Sequence, residues 1–211
     1  MLEILKTDSV GNLSAADAAR IGTAAKATRI VAFPTESGYA LGSTGLIKAA
    51  TRRLLQVKER STLKPLPAMT YSIEEAQKWV EWTPLAAALA AKLWPGPLAL
   101  LLRPTPSGRL LTFPEYPNVA IRVPSNPAAL SILAASGVPW VYTSANKSGQ
   151  PPLLDAAAVA KELGAEIDIL VDGGAVPPGD ATIVDATGEK PRITKAGLVS
   201  AELIQGALTA S

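Results

Sequence analysis

Two short segments far apart in the chain hold the side chains best suited to chemistry. Lys58-Glu59-Arg60 continues through Ser61, Thr62 and Leu63 to Lys64-Pro65-Leu66, gathering the cations Lys58, Arg60 and Lys64. Thr143-Ser144-Ala145-Asn146 follows an apolar stretch and leads into Lys147-Ser148-Gly149. A phosphate-bearing ligand suits both. Arginine offers planar bidentate contacts and lysine a point charge, while small hydroxyl and amide groups bind phosphate, ribose or carboxylate without adding charge. Each segment also has a plainer explanation. Basic side chains complement the dipole at a helix end, and Thr, Ser, Asn and Gly are ordinary turn formers.

Three more places carry polar chemistry. Phe33-Pro34-Thr35-Glu36-Ser37-Gly38 is a strand exit rich in hydroxyls, and α/β sheets bind ligands at strand ends. Ala120-Ile121-Arg122-Val123 sets one arginine in an apolar strand, where it needs an anion, either a carboxylate of the chain or a ligand. Asp172-Gly173-Gly174 and Gly179-Asp180-Ala181-Thr182 form a glycine-rich stretch. Neither a Walker A sequence nor G-x-G-x-x-G is present, so a nucleotide would be held by another device.

Composition narrows the chemistry. With no cysteine and no histidine among 211 residues, disulfides, thiol nucleophiles, Ser-His-Asp catalysis and the usual zinc sites are excluded. A hydrophobic fraction of 48% with 18% charged residues describes a well-buried globular chain. The net charge of +2 does not by itself call for a nucleic-acid partner. The most apolar region, 85–102, is broken by Lys92 and by Pro95-Gly96-Pro97, whereas a bilayer span needs ~20 mostly apolar residues. Glu3 and Asp8 oppose a signal peptide. The expectation is a soluble, cytoplasmic protein with no membrane partner.

The elements that would position these residues alternate. Helices are predicted over 14–27 (capped by Ser14), over 49–59, from Ser72 with Glu75 as a capping box, from Thr83-Pro84, over 127–135, from Asp155 to Leu163, and from Ser200 onward. Strands are predicted over 29–33, halted by Pro34, and over 98–102, 119–123, 139–142, 167–171, 182–185 and 192–194. Strand 139–142 would feed a loop starting at Thr143. Interleaved strands and helices indicate an α/β (or α+β) class with a mixed sheet. No linker divides the chain, so 1–211 reads as one domain.

The strings PTESGYALG, KERSTLKPL, WPGPLALLL, AIRVPSNP, YTSANKSGQPP, DGG and ATIVD occur in an order and spacing that resembles the YrdC-like family. The resemblance covers residues 30–197, and its most specific part is the K-x-R and S-x-N pair. It implies a single YrdC-like domain, a twisted mixed sheet flanked by helices around a basic cavity. The best-known members are threonylcarbamoyl-AMP synthases, nucleotidyltransferases that join L-threonine, bicarbonate and ATP and release pyrophosphate. The product goes to a tRNA-modifying threonylcarbamoyl transferase. By position, Lys58, Arg60, Lys64, Ser144, Asn146, Thr182 and Lys195 would hold ATP, with Lys58 and Arg60 catalytic. Thr35, Arg122 and Thr143 would face the threonine. Mg²⁺ would ride on the phosphates, with no metal site built by the protein alone. Ser37-Gly38-Tyr39-Ala40 and RVPSNP are similar to the YciO branch, whereas Ser144-Ala145-Asn146 is similar to the synthases. Ala181 and Lys195 stand where many synthases have Ser and Arg. Alternative readings are an RNA-binding module using a basic cavity, for which 5% aromatic residues offer little base stacking, and adenylate chemistry on another amino acid.

Overall fold

The computed structural model describes residues 1–58 and 65–209. Among them the strands are β1 (Glu3–Lys6), β2 (Val31–Thr35), β3 (Gly38–Thr44), β4 (Ala68–Met69), β5 (Leu98–Leu102), β6 (Val119–Arg122), β7 (Trp140–Ser144), β8 (Ile169–Asp172), β9 (Thr182–Asp185) and β10 (Arg192–Lys195). They form one mixed sheet in the order β1-β8-β2-β3-β7-β4-β6-β5-β9-β10. The helices are α1 (Ala15–Lys26), α2 (Lys48–Val57), α3 (Ile73–Gln77), α4 (Pro84–Leu93), α5 (Pro127–Ser136), α6 (Ala156–Leu163) and α7 (Ala201–Thr209). The class is α/β, as the alternation of elements implied.

The helix starts follow their capping chemistry. Ser14 accepts from Asp17 N at 3.0 Å, Ser72 from Glu75 N at 3.1 Å, Thr83 from Ala86 N at 3.0 Å and Asp155 from Ala158 N at 2.7 Å. Each satisfies a first-turn amide that has no partner within its helix. Alternate residues of β2 then divide the core. Val31 and Phe33 pack with α1 and α5, whereas Ile30 and Ala32 face α2 and α6. A third cluster fills the space between β5, β6, β9 and helices α4 and α7. No helix among the described residues is long and apolar enough to cross a membrane.

The strand boundaries differ from expectation in three places. Pro34 does not halt β2. It lies within the strand opposite Tyr39, and β8 pairs β2 only at Val31 and Ala32, so no neighbour needs the N–H that proline lacks. The stretch after it is not an exit loop but a tight turn into β3. Thr143 and Ser144 belong to β7, paired with Leu41 and Ala40, so the expected loop begins two residues later. Strands β1, β3 and β4 were not expected at all.

Candidate active site

Sheet register brings the site together. Ala40 pairs Ser144, and Gly42 pairs Tyr142. Met69 pairs both Trp140 and Arg122, and Lys195 pairs Ile183. Paired residues share a face, and this face is the one that α1 and α5 cover elsewhere. Ala40 of β3 and Lys195 of β10 line the same cavity of about 210 Å³. Six strand spacings would separate them by ~29 Å on a flat sheet, so the sheet curls and closes around the cavity. Ser37, Pro65, Pro67 and Asp180 complete the wall with Thr35, Arg122, Tyr142, Thr143, Ser144 and Ala181.

The β2–β3 turn supplies one side. Thr35 pairs Gly38, leaving Glu36-Ser37 as a two-residue loop. Gly38 has φ +100°, a conformation that favours glycine. The turn closes around the buried Thr35 hydroxyl, which donates to Gly38 O at 2.7 Å and accepts from Ser37 N at 3.1 Å. Arg122 faces this turn and is only 1% exposed. Its Nη1 lies 3.2 Å from Glu36 Oε1 and donates to Ser37 Oγ at 3.3 Å. Its Cζ sits 5.1 Å above the Tyr142 ring. The anion expected beside the buried arginine is therefore the chain's own Glu36, and Arg122 still borders the cavity. Burial pushes the Tyr142 phenol above its ordinary pKa against the opposing pull of Arg122, so it stays a neutral hydroxyl.

Lys58 meets the Ser144–Asn146 segment. Lys58 caps the end of α2 and is fully buried. Its ammonium donates to Ser144 O at 2.7 Å and to both the backbone and side-chain oxygens of Asn146. Ser144 Oγ donates to Asn146 Oδ1 at 2.7 Å, and Asn146 Nδ2 donates to Gln150 O. Lys58 and Asn146 thus stand behind the cavity wall, where they shape the end of β7. Arg60 and Lys64 lie outside the described residues. Lys195, on the opposite wall, pairs with Asp180 at 3.0 Å, both side chains half-exposed. Among the described residues the lining cations Arg122 and Lys195 thus each face a carboxylate.

A model of the Sua5/YciO/YrdC family, described as "Telomere recombination", matches residues 23–197. The chain belongs to this family. A threonylcarbamoyl-AMP synthase of Pyrococcus abyssi is 32% identical over 179 residues, 84% of this chain and 53% of that protein. The chain therefore spans about half the length of that curated relative. Among solved structures, P. abyssi Sua5 complexed with L-threonine matches with a TM-score of 0.89 at 28% identity, over 99% of this chain and 61% of that one. Escherichia coli YciO shares the fold, with a TM-score of 0.86 at 23% identity over 97% of this chain and 98% of its own.

Set against the residues that the YrdC-like resemblance marked, the cavity brings together Thr35, Arg122, Thr143, Ser144 and Lys195. Thr182 is placed differently. Its hydroxyl is fully buried, donates to Val199 O at 2.8 Å and accepts from Val199 N at 3.0 Å, while its neighbours Ala181 and Ile183 line the cavity. The Asp172-Gly173-Gly174 stretch is tied to β3 instead. The Tyr39 hydroxyl, pushed up by burial to about 12, donates to Gly174 O at 2.8 Å and accepts from Gly173 N at 3.1 Å. Sequence reasoning missed Ser37, Tyr142 and Asp180. The readable clue to Tyr142 was its position two residues before Ser144, which puts both on one strand face.

Proposed function

We propose that this chain is an L-threonylcarbamoyladenylate synthase, a nucleotidyltransferase that forms threonylcarbamoyl-AMP and pyrophosphate from L-threonine, bicarbonate and ATP. The observation that carries the reading is the likeness, over 99% of the chain, to a Sua5 structure complexed with L-threonine. The cavity chemistry supports it. Arg122 offers a guanidinium for the threonine carboxylate, with Thr35 and Thr143 beside it. Lys195 and Ser144 suit phosphate oxygens, and the carried-over roles of Lys58, Arg60, Lys64 and Asn146 complete the ATP side, whereas the Thr182 hydroxyl is taken up by Val199. Lys58 would act there chiefly by fixing residues 144–146, with Arg60 as the direct clamp.

The threonine amine attacks bicarbonate, forming an N–C bond as water leaves, and gives a carbamate. A carbamate oxygen then attacks the α-phosphorus while the bond to pyrophosphate breaks. Nearly every group is anionic, so cations that gather them reduce repulsion and align the attack. No protein nucleophile is required. Among the described residues no acidic cluster could cage a metal. Mg²⁺ would fit as a companion of ATP, neutralising phosphate charge, and among the described residues Asp180 is the carboxylate that lines the cavity. One YrdC-like domain would act in the cytoplasm and pass its product to a tRNA-modifying threonylcarbamoyl transferase.

The test is mass-spectrometric detection of threonylcarbamoyl-adenylate from purified protein with ATP, Mg²⁺, bicarbonate and L-threonine. Product that requires both threonine and bicarbonate is expected. Absence of product from well-folded protein would overturn the reading and make salt-dependent RNA binding the next measurement.

A further inference from the structure

Arg122 is the most deeply buried charge in the cavity wall, yet its own partners hold it loosely. The ion pair with Glu36 is made through Nη1 at 3.2 Å, and among the described residues Glu36 Oε1 makes no well-directed hydrogen bond. Among the described residues Arg122 Nε has no hydrogen-bond partner either. Arginine–carboxylate pairs are frequently bidentate, with two parallel N–H···O bonds. Here one edge of the guanidinium is steered and most of its donor fork is left under-used.

The steering is well anchored. Glu36 sits in the turn that closes on the Thr35 hydroxyl, and its other oxygen accepts from Ser125 N at 3.2 Å. Glu36 therefore ties the β2–β3 turn to the loop after β6, the strand that carries Arg122. Ser37 Oγ accepts from the same Nη1 at 3.3 Å, and the centroid of the Tyr142 ring lies 5.1 Å from Cζ.

We infer that Glu36 is a positioning residue, whose carboxylate fixes how Arg122 presents its guanidinium to the cavity and thereby sets affinity for the carboxylate-bearing substrate. The identity of that substrate rests on the proposed activity; the contact does not. Glu36→Gln separates the roles, because its amide oxygen still accepts from Ser125 N while the charge is gone. The amide NH2 then faces Nη1, a donor against a donor, so the charge-assisted contact is lost and the KM for threonine is expected to rise about tenfold. The KM for ATP should stay within about twofold, since Glu36 contacts Arg122 and Ser125 and not the Lys195 wall.

A second readout does not depend on turnover. In side-chain ¹⁵N spectra, the Arg122 Nε–H resonance should broaden in Glu36→Gln, because a guanidinium without its anchor samples several orientations. Unchanged threonine KM together with an unchanged Arg122 resonance overturns the proposal. If the native protein makes no product, the activity fails and the resonance alone decides. If Glu36→Gln does not fold, Glu36→Asp is read in the same way, since its shorter side chain keeps the charge but withdraws it from Nη1. A threonine-selective loss supports the inference, and an equal loss for both substrates overturns it.

Discussion

Thr182→Val should unsettle the far end of the fold and leave the reaction almost untouched. Valine keeps the shape of threonine and removes only the hydroxyl. That hydroxyl bridges both backbone groups of Val199, which is 6% exposed. The substitution deletes two hydrogen bonds and leaves a buried N–H and C=O unpaired, at ~1–3 kcal/mol each. Some relaxation toward solvent just before α7 reduces the sum, so a loss of about 2–4 kcal/mol is expected. For a chain of this length that corresponds to a fall in melting temperature of roughly 6–12 °C. Urea titration by circular dichroism should show an earlier midpoint with the slope unchanged. Steady-state assays should show KM values for ATP and threonine near those of the native protein. An unmoved midpoint with a raised ATP KM would refute this reasoning and restore Thr182 to the nucleotide side.

Gly22→Ala pits helix propensity against packing. Alanine gains ~1 kcal/mol in a helix interior, but its Cβ would stand 2.9 Å from Ser136 Cα and 3.0 Å from Ser136 N, backbone atoms that cannot turn aside. Overpacking at ~1–3 kcal/mol should win, and chemical denaturation that shows stabilisation instead would contradict the close approach of α1 and α5. Asp168→Asn should change the acid limb of stability. Burial raises the Asp168 carboxyl, but hydrogen bonds from Arg53 and from Ile30 N, with the Arg53 charge, outweigh it and hold the group below its ordinary range. A depressed folded pKa gives stability that is present above the unfolded value and is lost as pH falls through the folded one. The gap between native and Asp168→Asn protein should therefore be full at neutral pH and close below about pH 4, and a gap independent of pH would refute the ion pair.

Legibility in the sequence followed physical locality. Helix starts at Ser14, Ser72, Thr83 and Asp155 were readable because a cap and its amide lie within three residues. The ends of β2 and β7, and the whole of β3, were not. Gly42 and Ser43 look like loop residues, but Gly42 is required where the rings of Phe33 and Trp140 close in, 2.9 and 3.1 Å from where a Cβ would stand. Thr143 and Ser144 look like a turn until pairing with Leu41 and Ala40 is known. For the site, residue types indicated a phosphate- and carboxylate-binding cleft, and the demand that buried Arg122 find an anion was sound. Which carboxylate answers it depends on a contact across 86 residues of chain, between Glu36 and Arg122. The direction of the Thr182 side chain likewise depends on Val199, far along the chain.

The sheet order also governs how the chain can be made. β1, at one edge of the sheet, pairs with β8 alone, Leu5 lying opposite Val171. β2 needs the same strand along one side, Val31 opposite Ile169. At ribosomal speeds of ~5–20 residues per second, the first segment waits roughly 10–30 s for its partner to be synthesised. During that interval apolar Ile4 and Leu5 stand without a neighbour. The nascent protein is thus open to mispairing until residue 172 has left the exit tunnel.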